Sequence, residues 1–302
     1  VVARRKGDAV DGVLLLDKPS GITSNTALQR ARRLLNAAKA GHTGTLDPIA
    51  TGLLPLAFGE ATKFCADLLE ADKEYEATLA LGIRTSTADV EGEVIETREV
   101  AVTRPQLEAT LARFIGTIEQ TPPMHSALKR DGKPLYHYAR RGIEMARAPR
   151  SVRIARLELL AFDGVRARVL VACSKGTYVR TLAQDIGAAL GCGAHLAALR
   201  RTRVGGMTLA RAVTLTALET MPAAARREWL LPIDALLREL PRVDLGERQA
   251  RLFAHGGQLD IGVAPDGPGR RRVYGPDDRL LGLAELDERG VLNPRRLLAI
   301  AD

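Results

Sequence analysis

The chain has 302 residues, enough for two domains or for one large domain with an appendage. Its 46% hydrophobic content is ordinary for a globular protein, and no apolar run approaches the roughly 18 residues of a membrane span. Lys plus Arg exceed Asp plus Glu by 44 to 36, a formal net charge of +8 that favours a polyanionic partner.

Val1-Val2-Ala3-Arg4-Arg5-Lys6-Gly7-Asp8 has no apolar segment behind its basic residues, so it does not read as a secretory signal; the start at Val1 suggests that a few residues precede it. Residues 12–16 form a short apolar run, expected as a buried strand, that stops at the turn cluster Asp17-Lys18-Pro19-Ser20-Gly21. Thr23 or Ser24 is placed to cap a helix over about 25–38, with Ala27, Leu28, Ala31 and Leu34 or Leu35 on its apolar face. Residues 41–52 read as a Gly- and Thr-rich loop holding His42 and Asp47, with Pro48 biasing Asp47 towards extended backbone. An apolar run at 53–58, a helix near 60–70, and strands at 74–81 and near 92–97 come next. Thr103-Arg104-Pro105-Gln106 starts a helix whose buried face is Leu107, Leu111 and Phe114.

Residues 121–153 differ in character. Pro122-Pro123 breaks regular structure, and Lys129, Arg130, Lys133, Arg140, Arg141, Arg147, Arg150 and Arg153 face only Asp131 and Glu144. This predicts a basic surface excursion with one short helix near 134–141, and strands at about 151–161 and 165–172 follow it. Thr177 is positioned to cap a helix over about 178–190, putting Tyr178 and Arg180 in its first turn. Arg200, Arg201 and Arg203 stand beside Gly205-Gly206, and helical patches fill 210–240. A boundary at Pro241 separates residues 1–240 from 241–302, whose short apolar runs between Gly and Pro predict a small β-rich module.

The five histidines, 42, 125, 137, 195 and 255, are dispersed and give no metal-ligand pair. No phosphate-binding Gly-rich loop carries its Lys, and there is no nucleophilic-serine elbow. Asp47 is the acid with the most constrained setting. Leu46 and the 53–58 run imply partial burial, so its carboxylate needs a cationic partner, and Arg180 is one candidate. The basic excursion suits phosphates, with Tyr136, Tyr138 or His125 available to stack on unstacked bases.

Four blocks then carry a family resemblance. They are Asp11-Gly12-Val13-Leu14-Leu15-Leu16-Asp17-Lys18-Pro19-Ser20-Gly21-Ile22-Thr23-Ser24; Gly41-His42-Thr43-Gly44-Thr45-Leu46-Asp47-Pro48-Ile49-Ala50-Thr51-Gly52; Lys73-Glu74-Tyr75-Glu76-Ala77 with Thr121-Pro122-Pro123 and Ser126-Ala127-Leu128-Lys129; and Ser174-Lys175-Gly176-Thr177-Tyr178-Val179-Arg180 with Leu199-Arg200-Arg201-Thr202. Over roughly 11–235 the chain resembles the TruB family of bacterial tRNA pseudouridine synthases. Ile49 stands where the family's Leu is expected, and the tail around Phe253-Ala254-His255-Gly256-Gly257 resembles a PUA-type RNA-binding module.

The resemblance implies an α+β fold: a mixed, largely antiparallel central sheet flanked by helices, with a thumb-like insertion where the 121–153 excursion lies. It implies a cytoplasmic, cofactor-free enzyme that isomerises the T-loop uridine at tRNA position 55, without guide RNA, obligate protein partner, metal or membrane. By position it assigns Asp47 as the essential acid, Tyr75 as the ring stacking on the target base, Tyr178 as the base removing the C5 proton, and Arg180 as the aspartate's partner. Leu199 would line the pocket, His42 would hold the rearranged T loop, and Lys18 would lie near the site. The excursion residues Lys129, Arg130, Arg140 and Arg141 complete the expected RNA contacts. An RNA-binding protein without catalysis, a guide-directed synthase and a nucleoside hydrolase are the competing readings.

Overall fold

A computed structural model describes residues 7–126, 128–130, 132–139 and 141–299. Its main sheet is built on seven long strands: β1 (Gly12–Lys18), β2 (Thr51–Phe58), β3 (Lys73–Leu81), β4 (Gly116–Gln120), β5 (Arg150–Phe162), β6 (Arg166–Cys173) and β7 (Ala194–Val204). They lie in the order β1-β2-β7-β3-β6-β5-β4, and a short strand Val213–Thr214 pairs parallel with β1 at the edge. The other parallel contact among these strands joins β2 to β7 at Arg200↔Thr51 and Arg201↔Gly52. The remaining ladders are antiparallel, so the sheet is mixed and largely antiparallel, as the resemblance implies.

Burial explains the sequence texture. Leu14 and Leu16 of β1 enter one core with Ala27, Leu28 and Ala31, while Val13 and Leu15 enter another with Phe64, Leu68 and Leu236. A strand covered on both faces needs a continuous apolar run, and β1 and β2 both have one. In β3, Ala77, Leu79 and Leu81 are buried and alternate with partly exposed Glu76, Thr78 and Ala80.

Helix α1 (Ser24–Leu34) is shorter than its periodicity predicts. Thr23 caps it, accepting from Thr26 N–H at 3.0 Å, and Asn36 at φ 50° turns the chain away in the left-handed region. Helix α2 (Arg104–Ala112) starts as expected, with the Gln106 side chain accepting from Thr103 N–H at 2.8 Å. The 60–70 helix is broken into a 3-10 turn, Gly59–Phe64, and a short α segment, Cys65–Leu69. Helix α3 (Val179–Ala189) begins one residue later than the sequence suggests. Tyr178 is its N-cap, and the Thr177 hydroxyl donates back to Ser174 O at 2.9 Å instead of capping the helix.

The C-terminal part is a five-stranded sheet made from Arg242–Asp244, Leu259–Asp260, Gly269–Tyr274, Leu280–Leu286 and Val291–Leu297. It has a core of its own around Phe253, Val273 and Leu292. Contacts back to the main body include Leu283 in the Phe64 cluster, Lys63 Nζ donating to Leu297 O at 2.9 Å, and Tyr274 hydroxyl donating to Asp234 at 2.8 Å.

Candidate active site

The loop carrying Asp47 lies between the short strand Ala40–His42 and β2, and the turn after β1 holds it in place. Gly21 N–H donates to Pro48 O at 2.9 Å, and Ser20 Oγ donates to Ile49 O at 3.1 Å. The buried Ser24 hydroxyl accepts from Leu46 N–H at 2.8 Å and donates to Leu46 O at 3.0 Å. Lys18 is wholly buried, with Nζ donating to the carbonyls of Pro19, Ile22 and Pro48 at 2.8, 2.7 and 3.3 Å. The first two sequence blocks are therefore one structural unit. An ammonium has three donors, and all three of Lys18's are spent on backbone, so it acts on the site through the Asp47 loop and through its charge. Burial pushes its pKa down to about 8, with Asp47 opposing the shift and Arg201 adding to it.

Asp47 meets Arg180, with Nε 3.1 Å from Oδ2. The Asp47 side chain is 37% exposed and that of Arg180 5%, so the acid faces the opening while the cation sits behind it. Arg180 Nη2 donates to His125 O at 2.7 Å and Nη1 to Thr87 O at 3.4 Å; Nη1 also lies 3.6 Å from buried Asp89. Burial, the strongest influence, holds the Asp47 carboxyl above its ordinary range. Arg180 and Lys18 pull it down and Asp89 pushes it up. The ion pair is thus as expected from the sequence, but it does not by itself overcome desolvation.

Tyr75, on β3, pairs with Arg201 on one side and Val171 on the other. Burial raises its phenol, against the charge and hydrogen bond of Arg201. Leu199 lies partly buried between the two main cores and, like Tyr75, packs against both. Tyr178 is tied through its backbone: its N–H donates to Gln120 Oε1 at 3.0 Å, and Gln120 Nε2 donates to its carbonyl at 3.3 Å. The Arg150 guanidinium lies 4.8 Å from the Tyr178 ring centroid. Asp47, Tyr75, Tyr178, Arg180, Leu199 and Arg201 line one cleft of about 310 Å³. His42 lies outside that lining; its buried Nδ1 has no hydrogen-bond partner among the described residues, and burial followed by the Arg201 charge lowers its pKa.

The basic excursion forms a two-stranded hairpin, Lys129–Arg130 with Lys133–Pro134, followed by the helix Leu135–Ala139. Lys129, Arg130 and Arg141 are exposed and away from the cleft lining; Arg140 lies outside the described residues. Among the described residues, no three His, Cys, Asp or Glu side chains converge as a metal set, and no helix is long and apolar enough to cross a membrane. Sequence reasoning missed Asp89, Gln120 and Arg150 as parts of the site. It placed Arg201 in a basic cluster and in the fourth family block but gave it no role, although Arg201 is 1% exposed.

Residues 32–179 match the model of the TruB family pseudouridylate synthase N-terminal domain. Residues 180–238 match the tRNA pseudouridylate synthase B C-terminal domain, and 241–298 match the C-terminal domain of pseudouridine synthase II TruB. The chain is 60% identical over 297 residues to tRNA pseudouridine synthase B of Aromatoleum aromaticum, covering 98% of this chain and 95% of that one. It is 57% identical over 301 residues to the protein of the same name from Dechloromonas aromatica, covering 99% of each. Among solved structures, a Cbf5-Nop10-Gar1 complex contains a chain that superposes with a TM-score of 0.74 at 26% identity, over 96% of this chain and 85% of that one. The archaeal box H/ACA Nop10-Cbf5 complex gives 0.72 at 27%, over 96% and 86%. The chain belongs to the TruB family of pseudouridine synthases.

Proposed function

We propose that this chain converts a uridine of tRNA to pseudouridine, acting alone on the T-loop uridine at position 55, with Asp47 as its essential acid and no cofactor. The observation that carries the reading is the Asp47–Arg180 contact of 3.1 Å, on a loop tied down on both sides of the acid and facing a cleft shared with Tyr75, Tyr178 and Leu199. Identities of 60% and 57% over nearly the whole chain to proteins named tRNA pseudouridine synthase B support tRNA as the substrate over a guide-directed RNA.

The N1–C1′ bond breaks with its electron pair going to the uracil, the base turns, and C5 bonds to C1′ before losing its proton. Attack of Asp47 on C1′ and removal of the 2′ proton both require the ionised carboxylate, which Arg180 and Lys18 favour against burial. Tyr75 would hold the free base by stacking, worth about 1–3 kcal/mol for a base on an aromatic ring. Tyr178, with its main chain fixed by Gln120, would take the C5 proton. A base already splayed from an RNA loop is cheaper to bring into such a cleft than one in a duplex. The exposed Lys129, Arg130 and Arg141 would grip the phosphates of the T arm, with Arg140 beside them in sequence, and the C-terminal β-rich unit, divided from the catalytic unit at 240/241, would add RNA contacts as a PUA-like module.

The test is incubation of the protein with uridine-containing T-arm RNA, followed by carbodiimide modification and alkali. An alkali-stable adduct at the T-loop position is expected. Bound RNA without an adduct would leave only an RNA-binding role.

A further inference from the structure

Arg201 is the first of the largest side chains that the fold buries completely, at 1% exposure. A guanidinium stays charged, and burying one normally demands a carboxylate partner. Arg201 has no carboxylate ion pair among the described residues. Its Nε donates to Leu53 O at 2.7 Å and Nη2 donates to Gly44 O at 3.1 Å; Tyr75, its cross-strand partner on β3, lines the same cleft and feels its charge. Its charge adds to burial in pushing down the ammonium groups of Lys18 and Lys73. Stability gives little reason to keep such a charge.

What the side chain joins gives a better one. Its own strand β7, strand β2 through Leu53 and the start of the Asp47 loop meet on this one fork, with Tyr75 of β3 paired beside it. The chain makes room for that meeting. Gly52, paired with Arg201 across the parallel contact, has φ +98°, and a Cβ there would lie 2.2 Å from Arg201 O. Gly44, at φ +81°, would set a Cβ 3.4 Å from Nη1.

We propose that Arg201 is a positioning residue for the isomerisation: it holds the Tyr75 ring and the Gly44–Asp47 loop in one register, and sets an uncompensated positive charge in the wall of the cleft that receives the anionic uracil. The inference rests on the reading of the cleft given above. When the N1–C1′ electron pair moves to the base, the base becomes an anion, and a fixed cation stabilises that charge without reorganising.

The experiment compares Arg201→Gln, Tyr75→Phe, their double variant and Asp47→Asn in the full chain, with T-arm RNA as the probe. Single-turnover rates, RNA Kd and Tm are measured on each. Arg201→Gln should lose about 10²-fold in rate, the scale of one preorganised donor, while RNA Kd stays at the wild-type value. Its Tm should change little, because loss of the hydrogen bonds to Leu53 O and Gly44 O is offset by removal of a buried unpaired charge. Tyr75→Phe keeps the core volume and removes the phenol oxygen on which the Arg201 charge acts, so it should slow the reaction without weakening binding. The double variant should lose less than the product of the two single losses.

Wild-type rates in either single variant, strictly multiplicative losses in the double, or loss of Tm and RNA binding in parallel with rate in Arg201→Gln would each overturn the proposal. Asp47→Asn separates this from the broader reading. If that variant still turns over, the assignment of the cleft fails whatever Arg201 does.

Discussion

Replacing Ser24 by Ala removes one oxygen from the core and should damage both fold and turnover. That hydroxyl is 1% exposed and serves both polar groups of Leu46, itself 3% exposed, at 2.8 and 3.0 Å. Without it, a buried N–H and a buried carbonyl lose their partner, and alanine offers no replacement. An unsatisfied buried group costs about 1–3 kcal/mol, and the carbonyl, with two lone pairs, loses less than the N–H. The sum is about 2–3 kcal/mol, which corresponds to a Tm lower by about 4–9 °C for a cooperative unit of this size. Leu46 is the residue before Asp47, so the same change loosens the acid; a displacement of about 1 Å costs on the order of 10²-fold in rate. Thermal melting and single-turnover pseudouridine formation on T-arm RNA measure the two effects. A variant with wild-type Tm and wild-type rate would refute the reasoning, because it would show that the Asp47 loop does not depend on the turn beneath it.

Asp47→Asn should bind RNA and form no product, and its Tm should not fall. Because burial holds the folded carboxyl above its unfolded value, the folded state favours the uncharged form, and the ionised acid weakens the fold as pH rises through that window; melting curves across pH test the sign. The same upward shift puts the acid limb of the pH–rate profile above the ordinary Asp range. In Lys18→Met that limb should move to still higher pH, since Lys18 pulls Asp47 down; an unmoved limb would remove Lys18 from the electrostatics of the site. Neutralising Lys129, Arg130, Arg140 and Arg141 together should weaken RNA binding and flatten its dependence on salt. Binding measured at several ionic strengths checks this, and an unchanged slope would reduce the excursion to a solvated face.

Local rules served where sequence and burial agree. The two-sided burial of β1 and β2 follows from their unbroken apolar runs, and the Thr103–Gln106 start of α2 is a purely local signal. Strand β7 lies in the middle of the sheet and carries no such signal, because Arg200, Arg201, Thr202 and Arg203 read as surface. Arg201 is inside because two carbonyls serve its guanidinium, and those partners come from residues more than a hundred positions away. Asp89 was hidden for a related reason. Within Ser86-Thr87-Ala88-Asp89-Val90 it looks like a turn acid, and only the fold brings Arg180 to it. The Asp47–Arg180 pair itself came from the family resemblance and from the need of a partly buried acid for a cation, not from spacing.

The short parallel contact between β2 and β7 divides the seven long strands into two antiparallel blocks. Asp47 enters from the β1–β2 block, while Tyr75, Tyr178 and Arg180 belong to elements of the other. The reacting groups are thus mounted on two separate pieces that meet along Arg200↔Thr51 and Arg201↔Gly52. Any slip at this seam shifts the acid against all its partners at once and leaves the partners aligned with one another. The accuracy of the site is therefore set by how the two blocks are fastened, and the side-chain ties of Arg201 and Arg180 across the seam are part of that fastening.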